Sequence, residues 1–164
     1  MIAGADPNQR DREGSSPLHL AAKAGHHGVA GILLLKGAQD SSAVDATDEN
    51  GYTALHCCAT AFEDNSVGDN SDAVRVLLEA GADVNATTTN GDCSTLLHLA
   101  VDRRMAPIGT IRALLEGGST VNVRNELNET PLHTACKNSS VTGVELLLRC
   151  GADEELTDIG GEFP

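Results

Sequence analysis

The sequence predicts an all-α repeat solenoid, a row of short helix-turn-helix pairs linked by β-hairpin fingers. Three observations carry that expectation. A four-residue phrase recurs as Ser16-Pro17-Leu18-His19, Thr53-Ala54-Leu55-His56, Thr95-Leu96-Leu97-His98 and Thr130-Pro131-Leu132-His133. A glycine phrase follows each copy, at Gly37, Gly81, Gly117 and Gly151, and another stands at Gly4. Aromatic residues are only 2% of a chain that is 40% hydrophobic, so Leu, Val and Ala must form the core in thin repeated layers.

Each repeated phrase opens a helix. Ser16, Thr53, Thr95 and Thr130 are N-cap residue types, and Pro17 and Pro131 stand at the first helical position, where a missing N–H costs nothing. An Ala/Leu stretch such as 18–22 then makes a short inner helix whose small side chains let its neighbours approach closely. After a turn, residues 29–36, 72–80, 108–116 and 141–150 are expected as outer helices. Each is stopped by a glycine suited to the C′ position: Gly37, Gly81, Gly117 and Gly151. One such pair is too small to bury the apolar surface that offsets chain ordering, so adjacent pairs must share a core.

On these residues the chain resembles the ankyrin-repeat family, whose unit of about 33 residues is a β-turn followed by two helices, with a Thr-Pro-Leu-His signature. Gly4 to Gly37 and Pro131 to Pro164 are each 33 positions apart. The resemblance covers the whole chain and divides it into the end of one repeat (1–10), full repeats at 11–47, 48–87, 88–124 and 125–157, and the opening of another (158–164). The signature histidines lie 37, 42 and 35 residues apart, so the excess over 33 has to be placed. Four residues after Gly37 are expected as a loop lengthening one finger, and most of the next excess falls in a polar loop at 63–71. Leu96 in place of Pro and Phe163 in place of Thr depart from the motif. More repeats are expected on both sides of this segment.

Eleven basic against twenty-four acidic residues leave a formal charge of −13, which opposes binding to nucleic acid or to an anionic membrane. The start of the chain lacks the basic and apolar regions of a signal peptide, and no apolar run approaches a membrane span. Five cysteines, an odd number at irregular spacing, suit reduced thiols in an intracellular protein, cytoplasmic or nuclear. Cys57, Cys58 and Cys136 are expected to pack in helices. Cys93, in a small insertion, is the thiol exposed to oxidants. Three Asn-x-Ser/Thr triplets, at Asn85, Asn128 and Asn138, are taken as chance matches in turn-rich sequence.

No catalytic or cofactor motif is present. Metal ligands must converge within ~2.0–2.3 Å of one ion, whereas packed helices lie ~8–10 Å apart, so one histidine per repeat spreads along a line. The resemblance implies instead that His19, His56, His98 and His133 hydrogen-bond near the turn and tie neighbouring repeats. Asn85 and Asn122 each follow a leucine by eight residues, a context similar to that of asparaginyl hydroxylation in the family, and are read first as turn residues.

What varies between repeats is expected to recognise a partner, which in the family means the finger tips and the ends of the inner helices. The finger positions are Arg12, Glu13 and Ser15, then Glu49, Asn50 and Tyr52, then Thr89 and Asn90, then Glu126, Leu127 and Glu129. The helix ends supply Lys23, Thr60, Arg103 and Lys137. Lys23, Arg103 and Lys137 hint at an acidic or phosphorylated peptide, although charges on a solvated face need no partner. The expectation is a protein-binding module of a scaffold or adaptor, not an enzyme. The alternatives are a regulatory or spacer solenoid of a larger enzyme or channel.

Overall fold

The computed structural model describes residues 6–37, 41–60, 69–102 and 108–164. The helices are α1 Pro17–Lys23, α2 His27–Lys36, α3 Ser41–Val44, α4 Ala54–Thr60, α5 Ser71–Glu79, α6 Leu96–Val101, α7 Ile108–Glu116, α8 Pro131–Lys137 and α9 Val141–Arg149. Gly4, Arg103 and residues 63–68 of the expected insertion lie outside the described residues. Helices α1, α4, α6 and α8 pack in succession as an inner row, and α2, α5, α7 and α9 form the outer row beside it.

The core runs between the two rows. Leu18, Leu55, Leu96, Leu97 and Leu132 enter it from the inner helices, and Leu77, Ile111, Leu114 and Leu147 from the outer ones, each at most 2% exposed. Burial of a side chain of this size contributes about 1.5–3 kcal/mol. Alanine takes the sites where helices approach: Ala22, Ala59, Ala100 and Ala135 are sealed at no more than 1% exposure. The exposed apolar side chains gather at the ends of the row, with Leu20, Val29, Ile32 and Leu35 on α1 and α2, and Val141, Leu148, Ile159 and Phe163 at and beyond α9.

Several local expectations need correction. The residues inserted after Gly37 are not all loop, because Ser41–Val44 forms a helical turn whose Val44 is fully buried and anchors it. The fingers are tight turns. Among the described residues the single antiparallel bridge, Thr87 to Thr95, is the only strand-like pairing. Gly37, Gly81 and Gly151 do take positive φ after their helices, but after α7 that role belongs to Gly118 (φ +91°), one residue beyond the expected Gly117. A Cβ on Gly117 would lie 2.4 Å from Leu78 Cδ1, so its missing side chain serves the close approach of α7 to α5. Cys57 and Cys58 are buried as expected, whereas Cys136 is exposed because it faces away from the row interior.

Two substitutions separate packing from backbone conformation. Leu97→Ala is expected to lower unfolding free energy by about 2–5 kcal/mol through lost burial and the cavity left behind. Gly118→Ala meets no atom within 4 Å, so its expected cost of about 1 kcal/mol comes from the positive φ alone. Urea unfolding of both variants checks the pair, and a Gly118→Ala protein as stable as the parent would refute the assignment.

A recognition groove between fingers and inner helices

The repeated histidine builds each corner of the site. At all four copies Nδ1 lies 3.1–3.2 Å from the backbone nitrogen of the capping Ser or Thr and 2.7–2.9 Å from its hydroxyl. A backbone N–H can only donate, so Nδ1 is the acceptor and the ring proton sits on Nε2. Nε2 then donates across the seam to the next finger: His19 to the Tyr52 carbonyl at 3.1 Å, His98 to Glu129 at 3.0 Å, and His133 to Glu162 at 3.2 Å. His56 departs from this pattern, because its Nε2 is buried and has no hydrogen-bond partner among the described residues.

A second device shapes the fingers. The Oδ1 atoms of Asp11, Asp48, Asn125 and Asp158 each accept from the amides two and four residues on, at 2.8–3.0 Å. The residue three positions on takes positive φ and is Gly14, Gly51, Asn128 or Gly161. These acidic or amide residues were not singled out in the sequence. Their signal was there: Asp or Asn five residues before each cap, with Gly or Asn between.

The third finger differs. Thr88 stands at the aspartate position, its N–H reaches the Ser94 carbonyl at 2.9 Å, and two extra residues enlarge the turn. Gly91 and Cys93 both take positive φ there.

Fingers and inner helices enclose a groove of about 310 Å³. Of the residues expected to recognise a partner it unites Glu13, Ser15, Lys23, Asn50, Tyr52 and Thr60. It adds His19, Leu20, Asp48, Cys57, Leu99 and Asp102, which were not expected as binding residues. Ser15 is nearly buried in its wall. Tyr52 is half-buried, with its ring centroid 5.9 Å from that of His56, and Thr60 Oγ1 donates to the His56 carbonyl at 3.1 Å. A second cleft, of about 320 Å³, lies between finger tips and joins Glu49, Asn50 and Tyr52 to Thr89 and Asn90. Arg12 is exposed on the first finger.

The fourth finger stands apart from both cavities. Glu126 and Leu127 are exposed at its tip, while Glu129 is largely buried and paired with Lys137. Lys137 also lies 3.6 Å from Asp158, and these carboxylates, Glu129 foremost, hold its ammonium pKa above the ordinary value. Lys137 is therefore engaged within the protein. With Arg103 outside the described residues, the groove's described charges are Lys23 against Glu13, Asp48 and Asp102. That balance gives no support to an acidic or phosphorylated ligand.

Nucleophilic chemistry finds no purchase in the thiols. Burial pushes Cys57 up to about 12 and Cys58 higher still. Cys93 Sγ sits 3.2 Å from Glu126 Oε1, whose hydrogen bond and charge also raise the thiol pKa and suppress its reactive thiolate. Among the described residues no group of three or more His, Cys, Asp or Glu is placed to hold a metal ion, and no helix is long and apolar enough to cross a membrane. Asn85 and Asn122 act between turns: Asn85 Oδ1 accepts from Thr120 N–H at 2.8 Å, and Asn122 bonds both Gly151 and Asp153.

Stacked helix pairs, histidine ties and projecting fingers define a repeat solenoid with a recognition face. A family model described as ankyrin repeats (3 copies) matches residues 1–88 and 65–158, and the chain belongs to the ankyrin-repeat family, whose repeats are protein–protein interaction modules. It is 37% identical over 153 residues to the nuclear factor NF-kappa-B p105 subunit of Gallus gallus, covering 93% of this chain and 14% of that protein. It is 31% identical to the B-cell lymphoma 3 protein homolog of Mus musculus, over 100% of this chain and 34% of the relative. With the probable 26S proteasome regulatory subunit p28 of Saccharomyces cerevisiae it shares 32% identity, over 87% of this chain and 58% of the relative. The chain thus spans only part of the length of each of these relatives.

The histidines also set a pH dependence. Burial, opposed by the backbone carbonyls and carboxylates nearby, lowers the pKa of His19 and His98, and it lowers His56 to about 4. The unfolded chain, with histidines near 6.5, therefore binds more protons below neutrality, and stability rises with pH across that window. The contribution is complete above about pH 7 and is lost as pH falls through 6.5 towards 4. His56 alone accounts for roughly 2 kcal/mol between pH 7.5 and 5.0. Urea midpoints at those two pH values are expected to drop on acidification, and equal midpoints would mean that these rings are not held neutral by the fold.

Proposed function

We propose that this chain is a protein-binding module of an intracellular scaffold or adaptor, cytoplasmic or nuclear, which grips a partner protein between its finger tips and its inner helices. The observation that carries this reading is the groove of about 310 Å³ in which Glu13, Lys23, Asn50, Tyr52 and Thr60, drawn from two repeats, meet the floor residues Leu20 and Leu99. Its mixture of exposed leucine, a half-buried tyrosine and polar rims is the composition of a recognition surface, where a few apolar anchors supply most of the affinity. Glu49, Asn90 and Thr89 extend the contact along the finger row, and Arg12, Glu126 and Leu127 offer further tips to a longer ligand. Buried Ser15 and Glu129 shape the wall rather than touch the partner.

The kinship with p105, Bcl-3 homolog and p28 fits a regulatory or adaptor role for the parent protein, and activity of that protein, where it has any, lies outside this segment. The acidic balance of −13 supports a partner that is neither nucleic acid nor an anionic membrane.

The test compares partner capture by the natural chain, by a groove variant (Leu20→Ala, Lys23→Glu, Asn50→Ala) and by an outer-face variant (Leu35→Ala, Arg75→Glu), with unfolding curves confirming that all three fold. All substituted side chains are exposed or only partly buried. The groove variant is expected to lose a partner by at least tenfold in Kd while the outer-face variant keeps it, and loss in both or in neither would overturn the groove reading.

A further inference from the structure

The seams between successive repeats are not alike at their finger edge. Between the first and second fingers, Glu49 N–H donates to the Glu13 carbonyl at 3.1 Å and His19 Nε2 reaches the Tyr52 carbonyl. Between the third and fourth, Glu126 N–H donates to Asp92 at 3.0 Å and His98 Nε2 reaches Glu129. Beyond the fourth, Ile159 N–H donates to Leu127 at 3.0 Å and His133 Nε2 reaches Glu162. The seam between the second and third fingers has neither bond among the described residues. His56 Nε2, which the pattern would aim at the Ser94 carbonyl, is left without a partner, and although the Ala86 carbonyl acts on the ring it does not reach hydrogen-bond geometry. The cause is local: the third finger is two residues longer than the others and is latched to the fourth finger, not to the second.

The opposite edge of that same seam is pinned. Thr120 N–H donates to Asn85 Oδ1 at 2.8 Å, Thr110 Oγ1 donates to Asp69 Oδ1 at 3.4 Å, and Arg75 lies 3.7 Å from Glu116. Fingers two and three meet by contact alone, so close that a Cβ on Gly51 would stand 2.1 Å from Thr89 Oγ1. One edge bonded and the other only touching is the arrangement of a hinge, with the outer row as its pivot.

We infer that the solenoid is hinged between its second and third repeats, and that it opens at the cleft between finger tips 49–52 and 89–90. Each half stays latched finger to finger, so the fingers part in two pairs and not singly. This goes beyond the binding reading and is tested without any partner.

Two spin-label pairs, each skipping one finger, measure the opening in the intact chain with the more accessible cysteines Cys93, Cys136 and Cys150 replaced by serine. Asn50→Cys with Leu127→Cys crosses the seam, and Asn90→Cys with Gly160→Cys lies wholly within the second half. The distance distribution across the seam is expected to be at least twice as broad as the internal one. Replacing residues 88–94 by the five residues found at 48–52, which removes the enlarged turn, is expected to narrow it to the internal width. Equal widths in the natural-length chain would overturn the hinge. A distribution that stays broad in the shortened and folded chain would overturn the enlarged finger as its cause.

Discussion

The neutral imidazole of the signature histidine is the interaction on which the rest of the structure depends. It closes two gaps at once: Nδ1 satisfies the capping residue's N–H at the start of an inner helix, and Nε2 satisfies a carbonyl 29 to 33 residues away in the next finger. A glutamate at the same place would complete the cap but could not donate onward, and a lysine could not accept. Only a ring with one protonated and one bare nitrogen joins a local cap to a distant repeat. A hydrogen bond of this kind is worth only about 0.5–1.5 kcal/mol, so leucine burial remains the larger energy and the histidine supplies the register.

Register matters because the repeats have little else to align them. Leucine and alanine side chains on successive inner helices would tolerate small slips, since volume-conserving aliphatic packing is permissive. The carbonyl that receives Nε2 also accepts its own finger's first amide: Tyr52 from Asp48, Glu129 from Asn125, Glu162 from Asp158. Histidine tie and finger turn therefore specify each other. The groove follows from that coupling, because its walls are fingers held at a set angle to the helices that form its floor.

The fold was legible in the sequence because its repeated elements are short and chemically explicit. Ser/Thr three residues before His, with Pro permitted between, describes a cap and the start of a helix in one phrase. What stayed illegible depends on direction rather than residue type. Gly117 and Gly118 are identical in composition, and only the backbone of α7 tells which of them leaves the helix. Cys136 sits in an apolar-looking helix, yet a shift of one position on a 3.6-residue turn moves it from the core face to the surface. Lys137 reads as a free cation until the fourth finger brings Glu129 and Asp158 beside it. The groove residues Leu20 and Leu99 were passed over because leucine in an inner helix is ordinarily core.

The finger aspartates show why the third repeat behaves differently. With Asp at the first position, one carboxylate oxygen satisfies the amides two and four residues on, and a three-residue tip is closed completely. Thr88 has a shorter side chain and a single oxygen, so Ser94 N–H is shared between Thr88 Oγ1 and Asp92 Oδ1, and Thr88 itself donates to Asp92. A larger turn needs this extra carboxylate from within its own tip, and the additional residues require left-handed backbone at Cys93 as well as at Gly91. The finger thereby becomes self-sufficient. A finger that satisfies itself has less need of its neighbour, which is why the missing tie at His56 and the independent turn at 88–94 occur at the same seam.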